Sequence, residues 1–262
     1  MANPKKRLDV ILVERGLAQS RERAQSLILS GNVLVKDQPC TKAGTPFPGD
    51  VEIRLREKDH PYVSRGALKL KKALEEFRVA VDGKIGLDVG ASTGGFTQIL
   101  LLGGAVKVFA VDVGHNQMDW SIRSDPRVVC IEKTNARSLE FSLIGQKVDV
   151  IVVDVSFISL EKIFSALIAF MTEDTDLVTL VKPQFEVGRE EVGKGGIVQS
   201  EAARDEVNER LSEFAGGLGL IRRGLIKSPI TGTDGNIEYL AHWKWEKSPT
   251  CVQGGTETSG AR

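Results

Sequence analysis

The residues best placed for chemistry stand at the ends of apolar runs. Asp154 closes "VDVIVVD", Lys182 closes "DLVTLVK" and Glu238 opens "IEYLAHW". Runs of this kind read as buried strands of a parallel sheet, and in an open α/β sheet ligands gather outside the carboxyl ends of the strands. Asp154 and Lys182 are therefore expected at one edge, and Glu238 joins them if its strand runs antiparallel. An ammonium and a carboxylate facing one hydroxyl group can orient it or take its proton. A lysine serves as the base only where burial or a second cation weakens its hold on the proton, so base and orienting group stay unassigned at this level.

Next to these residues the sequence offers a binding turn. "IGLDVG" runs directly into "ASTGGFTQILL", so Gly90, Gly94 and Gly95 fall between a strand and a helix, where the backbone can approach a ligand. The spacing is D-x-G-x-x-x-G, with Asp88 ahead of the turn, and not G-x-G-x-x-G. Asp112 ends the following apolar run and is placed to accept hydrogen bonds from ribose hydroxyls. No Gly-x-x-x-x-Gly-Lys-Ser/Thr phosphate loop is present. A cofactor held through adenosine, ribose and amino-acid groups is expected, which S-adenosylmethionine satisfies. Ordinary structural duties compete with this reading: a tight turn for the glycines, a helix cap for Asp112 or Asp154, an ion pair for Lys182 and Glu238, a surface position for Lys69.

These residues need a scaffold, and the apolar pattern supplies one. Runs at Ile85–Val89, Val106–Val111, Val128–Ile131, Val148–Val155 and Leu177–Val181, separated by helical lengths, predict a doubly wound α/β domain. Ahead of it the pattern differs. Leu8, Ile11, Leu12 and Leu17 keep near-helical spacing over residues 7–18, with Gly16 as the stop. Ser20 is placed to cap a second helix that buries Ala24, Leu27 and Ile28, ends at Gly31 and displays Arg21 and Arg23 in its first turn. Val33–Val35, a turn over residues 36–39 and an alternating run at Val51–Leu55 predict small strands. Pro61 and the charged stretch before it mark a linker. The expected organisation is a small α+β domain over residues 1–57, a linker over 58–62, the α/β domain over 63–247 and a Gly/Ser/Thr-rich tail over 248–262.

Bulk properties narrow the function classes. The 262 residues carry 35 basic and 35 acidic side chains, so the whole chain has no net attraction for nucleic acid. Residues 1–42 nevertheless hold eight basic against four acidic side chains, a local excess that can meet phosphate. Cys40, Cys130 and Cys251, and His60, His115 and His242, lack metal-site spacing, so no metal is expected and the cysteines suit a reducing cytoplasm. No apolar stretch is long enough to span a bilayer, and Leu8–Leu17 is too charged for the core of a secretion signal.

The sequence "RLDVILVERGLAQSRERAQSLILSGNVLVKDQ" resembles S4-type RNA-binding domains. That resemblance implies RNA contact through the helix pair, by Arg7, Arg15, Arg21, Arg23, Lys36 and Lys42, with Arg65 in the following segment. "YVSRGALKL", "LDVGASTGGFT", "DVSFISL", "LVKPQFEVG" and "GNIEYL" resemble the TlyA/hemolysin A family of FtsJ-like ribosomal RNA methyltransferases, nearly end to end. The resemblance implies a Rossmann-like class I methyltransferase domain and a catalytic Lys-Asp-Lys-Glu tetrad at Lys69, Asp154, Lys182 and Glu238. It further implies S-adenosylmethionine at Gly90, Ser92, Thr93, Gly94, Phe96, Asp112, Asn135 and Asp154, with Phe157 of D-x-x-F lining the target pocket. The implied activity is methylation of a cytidine ribose 2′-oxygen in large-subunit, and in some members small-subunit, ribosomal RNA, by a cytoplasmic monomer. Two other classes compete. A membrane-active protein would use the amphipathic stretch Leu160–Met171, and a ribosome assembly factor would keep the fold without turnover. A pseudouridine synthase would have no use for the glycine turn.

Overall fold

The computed structural model describes residues 4–29, 31–55, 60–232 and 234–246. The chain forms two compact units, Met1–Pro61 and Tyr62–Arg262, with separate hydrophobic cores. The 248–262 tail and residues 58 and 59 of the expected linker lie outside the described residues.

The first unit contains β1 (Lys5–Arg7), α1 (Leu8–Glu14), α2 (Arg21–Leu29), β2 (Val33–Val35), β3 (Gln38–Pro39), β4 (Pro46–Pro48) and β5 (Ile53–Leu55). Leu8, Leu12, Ala24, Leu27 and Ile28 from the helices pack on Val33, Val35 and Val51. Helix α1 stops at Glu14, earlier than its apolar spacing suggests, because Gly16 takes φ +67° and the Leu17 N–H turns back to the Leu12 carbonyl. Ser20 caps α2 through the Arg23 N–H at 3.2 Å. The turn expected over residues 36–39 shrinks to Lys36 and Asp37, both at positive φ, and Gln38–Pro39 pair with β2. Two positive-φ residues give a hairpin connection whose twist matches that of the strands.

The second unit comprises α3 (Gly66–Phe77), β6 (Ile85–Val89), α4 (Gly95–Leu102), β7 (Lys107–Val111), α5 (Trp120–Arg123), β8 (Val128–Ile131), α6 (Phe141–Ile144), β9 (Val150–Val153), α7 (Glu161–Ile168), β10 (Asp176–Val181), α8 (Glu201–Gly217), β11 (Leu220–Lys227) and β12 (Tyr239–Trp245). Seven strands form one sheet in the order β11-β12-β10-β9-β6-β7-β8. The five from β8 to β10 are parallel, and β12 runs antiparallel to both of its neighbours. Strand β9 shows why the apolar runs are unbroken: Ile151 and Val153 enter the core on one face, Val150 and Val152 that on the other. Helix α8 and strand β11 were not singled out from sequence, since Arg222, Arg223 and Gly224 mask the alternation of β11.

Residues 160–171, the candidate membrane-active stretch, place Ile163, Phe164, Leu167, Phe170 and Met171 in the core of this unit. Among the described residues no helix is long and apolar enough to cross a membrane.

The first unit is organised around a buried charge. The Asp9 side chain is inaccessible to solvent and accepts from Arg7 Nε at 3.0 Å, Arg7 Nη2 at 2.9 Å, Gln25 Nε2 at 2.9 Å, Arg21 Nη2 at 3.2 Å and the Val10 N–H at 3.0 Å. The hydrogen bond from Arg7, joined by those from Gln25 and Arg21, outweighs the cost of burial and holds its carboxyl well below the usual carboxylate range. The folded unit thus binds fewer protons here than the unfolded chain. The stability this contributes is present above about pH 4 and is lost as pH falls. Asp9→Asn is expected to lower the stability of this unit by about 2 kcal/mol at neutral pH. It should also remove part of the acid sensitivity of amide exchange in Leu8–Leu29, measured by mass spectrometry between about pH 5 and pH 3. Identical exchange in variant and wild type would refute this role.

Candidate active site

The carboxyl edge of the large sheet carries two ion pairs. Lys69 Nζ lies 2.5 Å from Glu238 Oε2, and Lys182 Nζ lies 2.6 Å from Asp154 Oδ1 while donating to Ser156 Oγ at 2.8 Å. All four residues line one cavity of about 300 Å³, with Ser64, Arg65 and the glycine turn. The sequence leaves open whether Lys182 pairs with Glu238. In the structure Lys69 takes Glu238, and Lys182 takes Asp154.

Each group arrives by a separate route. Asp154 follows β9 and Lys182 follows β10, parallel neighbours in register through Val153 and Thr179. Glu238 precedes β12, whose reversed direction puts its start where the other strands end. Lys69 sits on α3, ahead of the sheet, and a glycine lets it in. A Cβ on Gly95 would overlap Ser64 Oγ and crowd the Ala67 N–H, so the lead into α3 closes directly on the start of α4. The Val63 N–H, donating to Gln98 Oε1 at 2.8 Å, fastens the same junction. Ser156, two residues beyond Asp154, was not anticipated; a hydroxyl just past a strand-end carboxylate is the available signal.

A second cavity, of about 360 Å³, shares Gly90, Ser92, Asp154 and Ser156 with the first and extends to Asp112, Asn135 and Phe157. The residues expected around a cofactor divide between the two. Thr93 and Phe96 line the first, Asp112 and Asn135 the second, and Gly90, Ser92 and Asp154 both. Gly94 lines neither. It stands at φ +93° at the start of α4 against Ile122, a conformation and a space that explain the glycine without a ligand. A Cβ on Gly90 would overlap the Asp154 carbonyl, so this glycine joins two strand ends as well as bordering the cavities. Asp112 accepts from the Ser92 N–H at 2.8 Å and the Gly114 N–H at 2.6 Å. One bond per carboxylate oxygen leaves acceptor capacity for a pair of ribose hydroxyls.

The basic residues expected to meet RNA fall into two groups. Arg7 and Arg21 hold Asp9, Arg15 donates to the Val51 and Gly49 carbonyls at 2.7 and 2.6 Å, and Arg23 donates to the His60 carbonyl at 3.2 Å. Helix α2 therefore does not present Arg21 and Arg23 purely for a partner. Their first-turn position is explained by bonds within the unit. Lys36 and Lys42 are exposed, and among the described residues their ammonium groups hold no hydrogen bond or ion pair. Arg65 belongs to the second unit and borders the ion-pair cavity.

Comparison with known proteins agrees with this layout. The profile of the FtsJ-like methyltransferases matches residues 62–245, and that of the S4 domain matches residues 6–53. The chain is 46% identical over 235 residues to the 16S/23S rRNA (cytidine-2′-O)-methyltransferase TlyA of Mycobacterium tuberculosis, covering 89% of this chain and 88% of that one. It is 42% identical to Hemolysin A of Brachyspira hyodysenteriae over 90% of this chain and 99% of the other. Among solved structures, a Streptococcus thermophilus protein carrying a hemolysin name superposes with a TM-score of 0.74 at 42% identity, covering 95% of this chain and 91% of its own.

Asp88, on β6 just ahead of the glycine turn, is inaccessible to solvent. Its Oδ2 accepts from Thr97 Oγ1 at 2.7 Å, and its Oδ1 has no hydrogen-bond partner among the described residues. Burial, with the nearby charges of Asp154 and Asp112, pushes its carboxyl up to about 7, although the Thr97 hydroxyl opposes the rise. An unfolded aspartate titrates near 4. The folded protein thus binds the extra proton between about pH 4 and pH 7, and stability declines as pH rises through that window. Asp88→Asn should flatten the decline. Unfolding free energies from urea titrations at about pH 5 and pH 7.5 are expected to differ less in the variant than in wild type, by on the order of 2 kcal/mol. An unchanged difference would mean that Asp88 titrates as an ordinary carboxylate.

Proposed function

The chain belongs to the FtsJ-like methyltransferase family, carries an S4 domain ahead of it, and on that premise we propose that it methylates a ribose 2′-oxygen of ribosomal RNA. The observation that carries the reading is the convergence of Lys69, Asp154, Lys182 and Glu238 on one cavity contiguous with the glycine turn. All four come from a single chain, so a monomer suffices, and the substrate class implies the cytoplasm. Relatives named as cytidine-2′-O-methyltransferases support a cytidine as target, in the large subunit and, following the Mycobacterium relative, the small one.

The residues fit S-adenosylmethionine. Asp112 has lone pairs for ribose hydroxyls, Asn135 borders the far end of the second cavity, and Asp88, Asp112 and Asp154 concentrate carboxyl groups where a sulfonium cation would lie. When bound, the cofactor supplies an electrophilic methyl carbon. The chain's task is to present an oxygen to it in line with the departing sulfur. A ribose hydroxyl at the ion pairs receives a hydrogen bond from the Lys182 ammonium and gives its own to the Asp154 carboxylate, which aims a lone pair at the methyl group. As the O–C bond forms, the hydroxyl becomes far more acidic. The Asp154 carboxylate that accepts its hydrogen bond is then placed to take the proton, and neither lysine has to lose one. Lys69 and Glu238 balance the second wall of the cavity. Phe157, 88% exposed and bordering the second cavity, lines the approach of the target nucleotide.

Transfer of labelled methyl groups onto ribosomal subunits and free ribosomal RNA tests the reading. Wild type should label a ribose, and Lys182→Ala and Asp154→Ala should each lose about 100-fold or more in rate with the fold intact. Absence of labelling by wild type, or variants equal to it, would end the proposal. For the S4 domain, Lys36→Ala with Lys42→Ala should weaken RNA binding and lower the slope of log affinity against log salt by about 1 to 2, without changing cofactor affinity. A salt slope equal to wild type would remove these lysines from the interface.

A further inference from the structure

The loop that follows β10 grips the loop that follows β9 at both ends. At the near end Lys182 meets Asp154 and Ser156. At the far end Glu186 Oε1 accepts the Leu160 N–H at 2.8 Å. Leu160 stands at the cap position of α7; Ser159 Oγ takes the Glu161 N–H of the first turn at 3.2 Å, and the carboxylate of Glu186, from 26 residues away, holds the N–H of Leu160 itself.

Between these pins stands Phe157. Its backbone lies at φ +64°, its side chain is 88% exposed, and its ring sits 4.9 Å from that of Phe185, which belongs to the gripping loop. A left-handed backbone is costly for a bulky residue and persists only where the surroundings enforce it. Glu186 is costly too. It is buried, burial raises its pKa, and among the described residues its Oε2 has no hydrogen-bond partner, with Arg210 Nη2 at 3.9 Å. Two unfavourable features joined by one short segment at the mouth of the cavity indicate that the segment's conformation matters more than its local stability.

We propose that Glu186 is a positioning residue for methyl transfer: by holding Leu160 it keeps Phe157 upright at the cavity mouth, where the ring stacks on a base of the RNA substrate. The proposal rests on the RNA-methyltransferase reading above. Glu186 acts through Phe157 and does not itself touch the substrate.

The test is a double-mutant cycle. Glu186→Ala removes the acceptor, Glu186→Asp keeps the charge but shortens its reach, and Glu186→Gln keeps an oxygen at full reach. Each is made alone and with Phe157→Ala, and kcat/KM for RNA, RNA affinity without turnover and cofactor affinity are measured. Glu186→Ala and Glu186→Asp are expected to lose about tenfold in RNA affinity and kcat/KM, comparable to loss of one stacking contact. Glu186→Gln should stay within about threefold of wild type, and cofactor affinity within about twofold throughout. With Phe157→Ala present, the Glu186 substitutions should cost less than about twofold more. Equal losses in both backgrounds, or an equal loss of cofactor affinity, would overturn the positioning role. Should Glu186→Ala fail to fold, Glu186→Asp gives the same comparison. Because RNA affinity needs no turnover, a failure of the positioning role is distinguishable from a wild type that does not methylate.

Discussion

Two lysines sharing a cavity of about 300 Å³ would repel each other and resist leaving water, and only an opposed carboxylate for each makes the arrangement stable. The Lys69–Glu238 pair is the more demanding, with side-chain exposures of 10% and 3%. Much of the second unit meets this requirement. A parallel pair of strands delivers Asp154 and Lys182 side by side, a reversed strand returns Glu238 to the same edge, and a glycine at the head of α4 admits the helix that bears Lys69. Remove any one route and a charged group is left without its counterpart.

The cofactor side of the site obeys a related rule with the opposite sign. Asp88, Asp112 and Asp154 crowd three carboxyl groups near two joined cavities, and the protein moderates the repulsion by keeping the deepest one protonated to near neutrality. Asp112 spends one lone pair of each oxygen on backbone amides of the surrounding loops, so its rotamer is set before any ligand arrives. Preorganised acceptors of this kind save reorganisation when charge moves.

The sequence was most informative where one physical signal dominated. Unbroken apolar runs gave β6 and β8 to the residue and the other parallel strands to within a few positions, and each run pointed to the polar residue at its end. Lys69 was legible only through family resemblance, because its approach depends on the Gly95–Ser64 contact between segments far apart in sequence. Helix α8 and strand β11 were obscured by charged residues that serve packing and ion pairs, Arg222 with the Asn208 carbonyl and Glu209 among them. The arginines of the first unit carry a duty that their pattern does not reveal. A basic first turn reads as a phosphate contact, whereas the sequence gives no warning that Asp9 is buried and needs those same side chains.

Helix α3 comes before the first strand of the seven-stranded sheet, yet it carries one of the four charges. A shorter version of this domain, begun at β6, would keep every strand of the sheet but strip Ala67, Leu70 and Ala73 from the core on one of its faces. It would also contain a nearly sealed glutamate at position 238 with its cation cut away. The heritable module is therefore longer than the sheet that defines its architecture. Recombination that trimmed the lead-in helix would pass on a binding fold stripped of balanced charge, so the segment from Tyr62 to Phe77 has to travel with the rest whenever this architecture is duplicated or fused.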